Sequence, residues 1–475
     1  MTHQTRRPRP AAHRSVRAAS AALALTGLLT TAACSGSSKP AEPAAGAVVT
    51  AAPAALSPSP STAASSGGAV VPFTPDVTSR LDTAIKQTMS QVGVPGVIVG
   101  LTTPDGSYQR AFGVADKTSG TPMSPDLYMR VGSVTKTMTA TAVLQLVDQG
   151  KVGLDDPISK YVQGVPGGDK ISVRDLGDMR SGLYSYSFDP DFQHALFSDP
   201  KRPFTPDELL AYAFKHPANF PPGTQYEYSN TNAVLLGVLV EKLTGKSLTD
   251  VLGQQVFGPV GMTKTNLPTD AAFPTPHAHG YTNQTLNGDV QDSTDWNPSW
   301  GWAAGAAIST LSDLQTWAKV LATGDPLIKP ATQAERLKYR GVGTPDLGYG
   351  FGIFTTHGWV GHNGSLPGYQ SVVMYLPEAK ATMVVLLNTD ISHEGSEPST
   401  FLARAITQIF SPNNVYTLPT PPASGSASPS ASAASPSASP STASPSAIEP
   451  RPSLGTLTPA PSGSAKLSDE EESDS

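Results

Sequence analysis

The residues able to do chemistry fall at three places along the chain. Ser133 and Lys136 stand three apart in RVGSVTKTMTATAVLQLVDQGKV, and residues at that spacing share one face of a helix. A serine hydroxyl is a weak nucleophile until a base takes its proton. A lysine can do so only when neutral, and its reference pKa near 10.4 makes neutrality at pH 7 cost about 4–5 kcal/mol. Burial or neighbouring positive charge supplies such a shift. Tyr228 and Asn230 offer a phenol and an amide within one short turn, and acyl transfer needs a group that passes a proton to the leaving atom. His362, Gly364 and Ser365 lie in GWVGHNGS. There a strand edge beside the serine can offer an N–H to a carbonyl oxygen, and glycine permits close backbone approach. Each place has a competitor. Ser198-Asp199-Pro200-Lys201 repeats the first spacing among proline and polar neighbours and reads as loop. Tyr281-Thr282-Asn283 reads as an exposed loop, and His393-Glu394-Gly395 as a polar one.

The elements that must position these groups are visible in the hydrophobic spacing. Met138, Ala142, Val143, Leu146 and Val147 recur at helical intervals, and Asp148-Gln149-Gly150 closes that helix. Leu81, Ile85 and Met89 mark an earlier helix. Two strands follow around Pro104-Asp105-Gly106. The middle of the chain is helix-rich, with ISVRDLGDMRSG and NAVLLGVLVEKLTG as examples. The far end returns to strands in GYGFGIFTTHG, GWVGHNG, GYQSVVMYLPEA and KATMVVLLNTD, and a helix from Ser399 to Phe410 ends the pattern. This spacing predicts an α/β fold of the α+β kind: one antiparallel sheet formed from both ends of the domain, flanked by helices, with an inserted helical lobe. A site would lie in the cleft between sheet and lobe.

The order Ser-x-x-Lys, Tyr-x-Asn, His-x-Gly resembles the serine β-lactamase and penicillin-binding protein superfamily. Within it the chain is most similar to the class C branch, with its D-Ala-D-Ala carboxypeptidases, D-amino-acid peptidases and esterases. RVGSVTK, LVDQGKVGLDDPI, VRDLGDMRSGLYSY, PPGTQYEYSNTN and SWGWAAGAAIST carry the resemblance further, over about residues 78–410. It implies the β-lactamase/transpeptidase-like fold, Ser133 as acylated nucleophile, Lys136 as its base or proton relay, and Tyr228 as the partner that exchanges protons with Ser133 and the leaving group. By the same resemblance Asn230 would hydrogen-bond the substrate's amide side chain, and His362, where many relatives carry lysine, would assist Tyr228. The N–H groups of Ser133 and Ser365 would form the oxyanion hole, and Trp300 would stand on the cleft wall or pack into the core. The implied function is an exported serine hydrolase acting on a small peptide, β-lactam or ester, in the first place a D-alanyl-D-alanine carboxypeptidase or β-lactamase relative. The alternatives are an esterase or D-amino-acid amidase of the same fold, and a non-catalytic penicillin-binding wall protein. Two departures bear on substrate. Phe354 stands near the place where carboxypeptidase relatives carry a carboxylate-binding arginine, and Asn363 replaces a common threonine. A terminal carboxylate would then have to be met from elsewhere, by Arg180 or Lys338 for example.

Composition bounds the remaining classes. The chain has 475 residues and a formal net charge of -6, which together with the lack of a basic stripe argues against nucleic-acid binding. No serine of the folded segment sits in a G-x-S-x-G elbow. His277 and His279 read as loop residues, not as a metal site, and no cofactor is called for. Arg6, Arg7, Arg9, Arg14 and Arg17 followed by a short apolar run read as an export signal over residues 1–34. The single cysteine, Cys34, follows small residues as in a bacterial lipoprotein signal. Its lipidation would anchor the protein to the membrane on the cell-wall side; the alternative is cleavage near Ala33 and release. Residues 35–72 read as an Ala/Pro/Ser-rich tether, 73–416 as the serine hydrolase domain, and 417–475 as a disordered Ser/Pro/Ala-rich tail with an acidic end.

Overall fold

The computed structural model describes residues 70–419. Cys34, the export signal and most of the two low-complexity segments lie outside the described residues. Eight strands form one sheet: β1 (Gly96–Thr103), β2 (Gly106–Gly113), β3 (Arg340–Gly341), β4 (Leu347–Gly350), β5 (Ile353–Thr356), β6 (Trp359–Leu366), β7 (Tyr369–Leu376) and β8 (Ala381–Leu387). Their order across the sheet is β2-β1-β8-β7-β6-β5-β4-β3, and every pairing is antiparallel. The first two strands thus complete the sheet, β1 pairing with the last strand and β2 with β1, as the strand signals at both ends of the sequence require.

The strands β7 and β8 are buried along their whole length because both faces are covered. In β8, Met383, Val385 and Leu387 enter one core while Val384 and Leu386 enter the other. In β7, Val372 and Met374 oppose Val373 and Tyr375 in the same way. On one face lie α1 (Pro75–Val92) and the C-terminal helix Pro398–Phe410. On the other lie α2 (Val134–Asp148) and Leu311–Thr323. Hereafter the helix Asn230–Thr244 is α3, Leu311–Thr323 is α4 and Pro398–Phe410 is α5. The start of α1 follows from its caps: the Thr74 hydroxyl accepts from the Val77 N–H, Pro75 fills the first turn, and Gly93 ends the helix at φ 73°. Its buried stripe of Val77, Leu81, Ile85 and Met89 is the expected four-residue spacing.

The helix α2 is more deeply buried than its spacing of large apolar residues indicates. Thr135, Thr137, Thr139 and Thr141 are all buried. Each hydroxyl finds a backbone carbonyl: Gly132 at 2.7 Å, Val134 at 2.6 Å, Ala303 at 2.9 Å and Thr137 at 2.8 Å respectively. Threonine can therefore line a helix enclosed on almost all sides without leaving an unpaired polar group.

Two sequence expectations are corrected. Tyr281-Thr282 is not an exposed loop: both residues are buried, pair with Asp292 and Gln291, and give the Tyr281 carbonyl to the Thr389 hydroxyl. Only Asn283 of that triplet is exposed. Ser198 closes a helix, Pro190–Ser198, whereas the rest of its tetrad is loop; Lys201 there reaches Asp295 at 3.8 Å instead of the serine.

Candidate active site

The site begins at the entry to α2. Gly132 takes φ 54°, which an L side chain rarely adopts, and the next residue is Ser133. One turn on, the Lys136 Nζ lies 2.8 Å from the Ser133 Oγ and 2.8 Å from the Ala304 carbonyl. Lys136 is 2 % exposed, and burial holds its amine well below the ordinary lysine value. No carboxylate forms an ion pair with it among the described residues, so nothing opposes the loss of its proton. A neutral amine keeps one lone pair, which can accept the serine proton while an N–H donates to Ala304.

The Tyr228 ring lies 4.9 Å from the Lys136 Nζ. Burial raises its phenol above the usual tyrosine range, and the Ser133 hydroxyl within hydrogen-bonding reach offsets part of that shift. The phenol is therefore a proton donor at neutral pH, and Lys136 is the group with the free lone pair. Asn230, the first residue of α3, is fixed from below: its N–H donates to the Ser185 hydroxyl at 3.0 Å and its Nδ2 to the Ser187 hydroxyl at 3.0 Å.

The strand β6 closes the other wall. A side chain at Gly364 would place Cβ 2.0 Å from the Val131 carbonyl and 2.9 Å from the Ser133 nitrogen. At Gly132 it would lie 2.8 Å from the Ser365 nitrogen. Two glycines thus bring the N–H groups of Ser133 and Ser365 to the same spot. Among the described residues nothing accepts the Ser133 N–H. Pairing with β5 ends at Gly361–Phe354, so that edge of β6 is unpaired beyond it. Donors converging on one point beside a nucleophile are what a developing oxyanion requires.

His362 is buried and lies 6.2 Å from Tyr228, centroid to centroid. Its Nδ1 donates to the Asn363 carbonyl at 2.5 Å, which leaves Nε2 to accept from the Tyr349 hydroxyl at 3.0 Å. Burial pushes its pKa down to about 3. His362 is therefore a neutral ring wedged between Tyr349, Tyr228 and Phe354, whose ring meets it edge-on at 5.3 Å. Phe354 occupies its position with an apolar ring, in line with the sequence reading. The alternative cations are engaged elsewhere: Arg180 donates to the Gly341 carbonyl at 2.7 Å and Lys338 pairs with Glu335. Trp300 packs 6.3 Å from Phe192 and lines, with Leu366, a small cavity to which Ser133, Lys136 and Tyr228 do not contribute. Among the described residues no cluster of three or more metal-ligating side chains occurs. His279 pairs with the Asp292 carboxylate at 2.7 Å, whereas His277 turns to the Pro274 carbonyl.

The Ser133–Lys136 geometry, the tyrosine above it and the paired amides agree with an independent finding: the Beta-lactamase family model matches residues 81–407. The chain belongs to the β-lactamase family. Its fold is that of the serine hydrolases of this family. A D-aminopeptidase from Brucella anthropi is 28 % identical over 320 residues, 66 % of this chain and 59 % of the relative. The chain therefore spans about three fifths of that relative's length. A D-stereospecific amidohydrolase from a Streptomyces species superposes with a TM-score of 0.61 at 31 % identity, covering 66 % of this chain and 94 % of that one. A D-amino acid amidase from Ochrobactrum anthropi SV3, in complex with D-phenylalanine, gives a TM-score of 0.64 at 27 % identity, covering 70 % and 98 %.

Four groups in the site were missed by sequence reasoning: the Ala304 carbonyl, Ser187, Tyr349 and Glu397, whose carboxylate accepts from Asn363 at 3.0 Å. A backbone carbonyl carries no sequence signal. Tyr349 reaches the site through the pairing of β4 with β5, which sets it directly opposite Phe354.

Proposed function

We propose that the protein hydrolyses amide bonds of D-amino-acid derivatives, primary amides or short peptides, through an acyl-enzyme on Ser133. The observation that carries this reading is the 2.8 Å contact between the Ser133 hydroxyl and a lysine amine buried without an acid. Lys136 takes the serine proton as Oγ attacks the carbonyl carbon. The N–H groups of Ser133 and Ser365 hold the oxyanion, where losing one donor typically costs about 10²–10³ in rate. Tyr228 gives its proton to the departing nitrogen and recovers one from Lys136. Water then enters by the reverse route and releases the D-amino acid.

The amidase reading has more support than the carboxypeptidase or β-lactamase reading. The relatives named above are a D-aminopeptidase, a D-stereospecific amidohydrolase and a D-amino acid amidase. Phe354 offers no charge to a terminal carboxylate, which prefers a fork-shaped cation. Export and lipidation at Cys34 belong to the same proposal and rest on the N-terminal sequence alone. A panel of D-phenylalanine amide, its L enantiomer, D-Ala-D-Ala, nitrocefin and a short-chain ester tests the substrate. The D-amide and the ester are expected to lead in kcat/KM. A strong preference for the free carboxylate of D-Ala-D-Ala would reverse the assignment.

A further inference from the structure

One buried acid in this site has no part in the proton transfers. Glu397 precedes α5 as its N-cap residue and is 8 % exposed. Its Oε2 accepts from the Asn363 Nδ2 at 3.0 Å, while its Oε1 and the hydroxyl of Ser399 both lack a hydrogen-bond partner. No ion pair reaches it among the described residues. The charged or titratable groups that act on it are the carboxyl of Asp390, just after β8, whose charge disfavours a second negative charge, and the neutral phenols of Tyr228 and Tyr416. A buried acid with one orphan oxygen and no cation needs an explanation.

Its place along β6 supplies one. Side chains alternate across a strand, so Asn363 and Ser365 face the Glu397 side while His362 faces Tyr228. A substrate laid on the unpaired edge of β6 puts its carbonyl oxygen at the amides of Ser133 and Ser365. Its leaving group then points to Tyr228, back along the strand past His362 and Asn363. Glu397 holds the Asn363 side chain of that stretch. By holding the Asn363 Nδ2, an ionised Glu397 leaves the side-chain Oδ1 of Asn363, which accepts no hydrogen bond among the described residues, to meet the leaving group.

We propose that Glu397, acting through Asn363, is the residue that makes the site reject leaving groups with a free carboxylate and accept uncharged amides. It rests on the amidase reading above and adds the device that enforces it. An acceptor oxygen backed by negative charge suits the N–H of a departing amide. A carboxylate at the same place meets like charge, which is costly where water is scarce. Burial raises the Glu397 carboxyl to about 7, with the bond from Asn363 and the neighbouring Ser365 and Ser399 hydroxyls opposing it. The rejection therefore strengthens as pH rises through neutrality. When protonated, Glu397 can donate to the Asn363 Oδ1 and turn the amide's N–H groups outward, a surface a carboxylate tolerates.

The test is a matched pair, D-Ala-D-Ala and its C-terminal amide, compared in kcat/KM for the wild type and Glu397→Gln at pH 6 and pH 8. The wild type is expected to favour the amidated dipeptide at pH 8 by tenfold or more, and less so at pH 6. In Glu397→Gln the gain for the free acid should exceed any change for the amide by tenfold or more, and the ratio should no longer depend on pH. An unchanged ratio in the variant, with the amide still hydrolysed, overturns the role of Glu397 alone. If the variant does not fold, a wild-type ratio identical at the two pH values overturns it. Failure of the wild type to cleave either dipeptide, while Ser133 still reacts with a fluorophosphonate, overturns the amidase reading as well.

Discussion

The chemistry of this site turns on an amine that has been denied both water and a counter-ion. Lys136 has only a hydroxyl and a carbonyl as partners, at 2.8 Å each. In that setting the charged form is the unstable one. Tyr228 is shifted in the opposite sense for a phenol, toward keeping its proton, so the two groups divide the roles of base and acid by environment. His362, with its pKa near 3, carries no charge from pH 5 to 9 and acts by position and hydrogen bonding. Ser133→Ala is expected to abolish ester and amide hydrolysis and fluorophosphonate labelling, whereas Ser198→Ala should leave both intact. Labelling retained in the first variant would exclude Ser133 as nucleophile. This much was legible because Ser133 and Lys136 meet within a single helical turn, an interaction that spacing alone specifies. Tyr349 and Glu397 reach the site from β4 and from the start of α5, and only tertiary pairing brings them there.

At the scale of elements, the decisive contact is between the start of α2 and β6. It is possible because Gly132 and Gly364 carry no side chain where two backbones touch. Gly364→Ala places a methyl 2.0 Å from the Val131 carbonyl, so the strand must move away from the helix. Overpacking of this kind costs about 1–3 kcal/mol, and displacing one amide from the oxyanion position lowers kcat/KM by about 10²–10³. A folded Gly364→Ala protein with wild-type kcat/KM would show that Ser365 is not an oxyanion donor. Sequence reading placed the main strands and the first and last helices because their apolar patterns are long. It misjudged Tyr281-Thr282, whose two-residue pairing and burial depend on Gln291, Asp292 and Thr389, partners that a polar local sequence conceals. It read α2 as a largely buried helix, as found, although the threonines that bond their own backbone leave no apolar trace.

For the molecule as a whole, the sheet separates two cores, and several acids are trapped at their margins. Burial raises Asp178 to about 7, Asp390 to about 6 and Glu397 to about 7. A raised carboxyl binds a proton in the folded state that the unfolded chain has already lost. Its stabilising share is therefore complete below the unfolded value and is lost as pH rises toward the folded one. Relative to Glu397→Gln, the wild type should lose stability between pH 5 and pH 7.5 and level off above; thermal unfolding of both proteins across that range measures it. A difference independent of pH would mean that Glu397 is not held protonated by the fold. All of the chemistry nevertheless depends on the neutral amine beside Ser133. Its most direct test is the pH dependence of the rate at which a fluorophosphonate labels Ser133. The rate is expected to rise to a plateau with an inflection well below 10.5, the ordinary lysine value. It should fall to a residual level without that inflection in Lys136→Ala. An inflection at the ordinary lysine value, or full labelling of Lys136→Ala, would contradict the account.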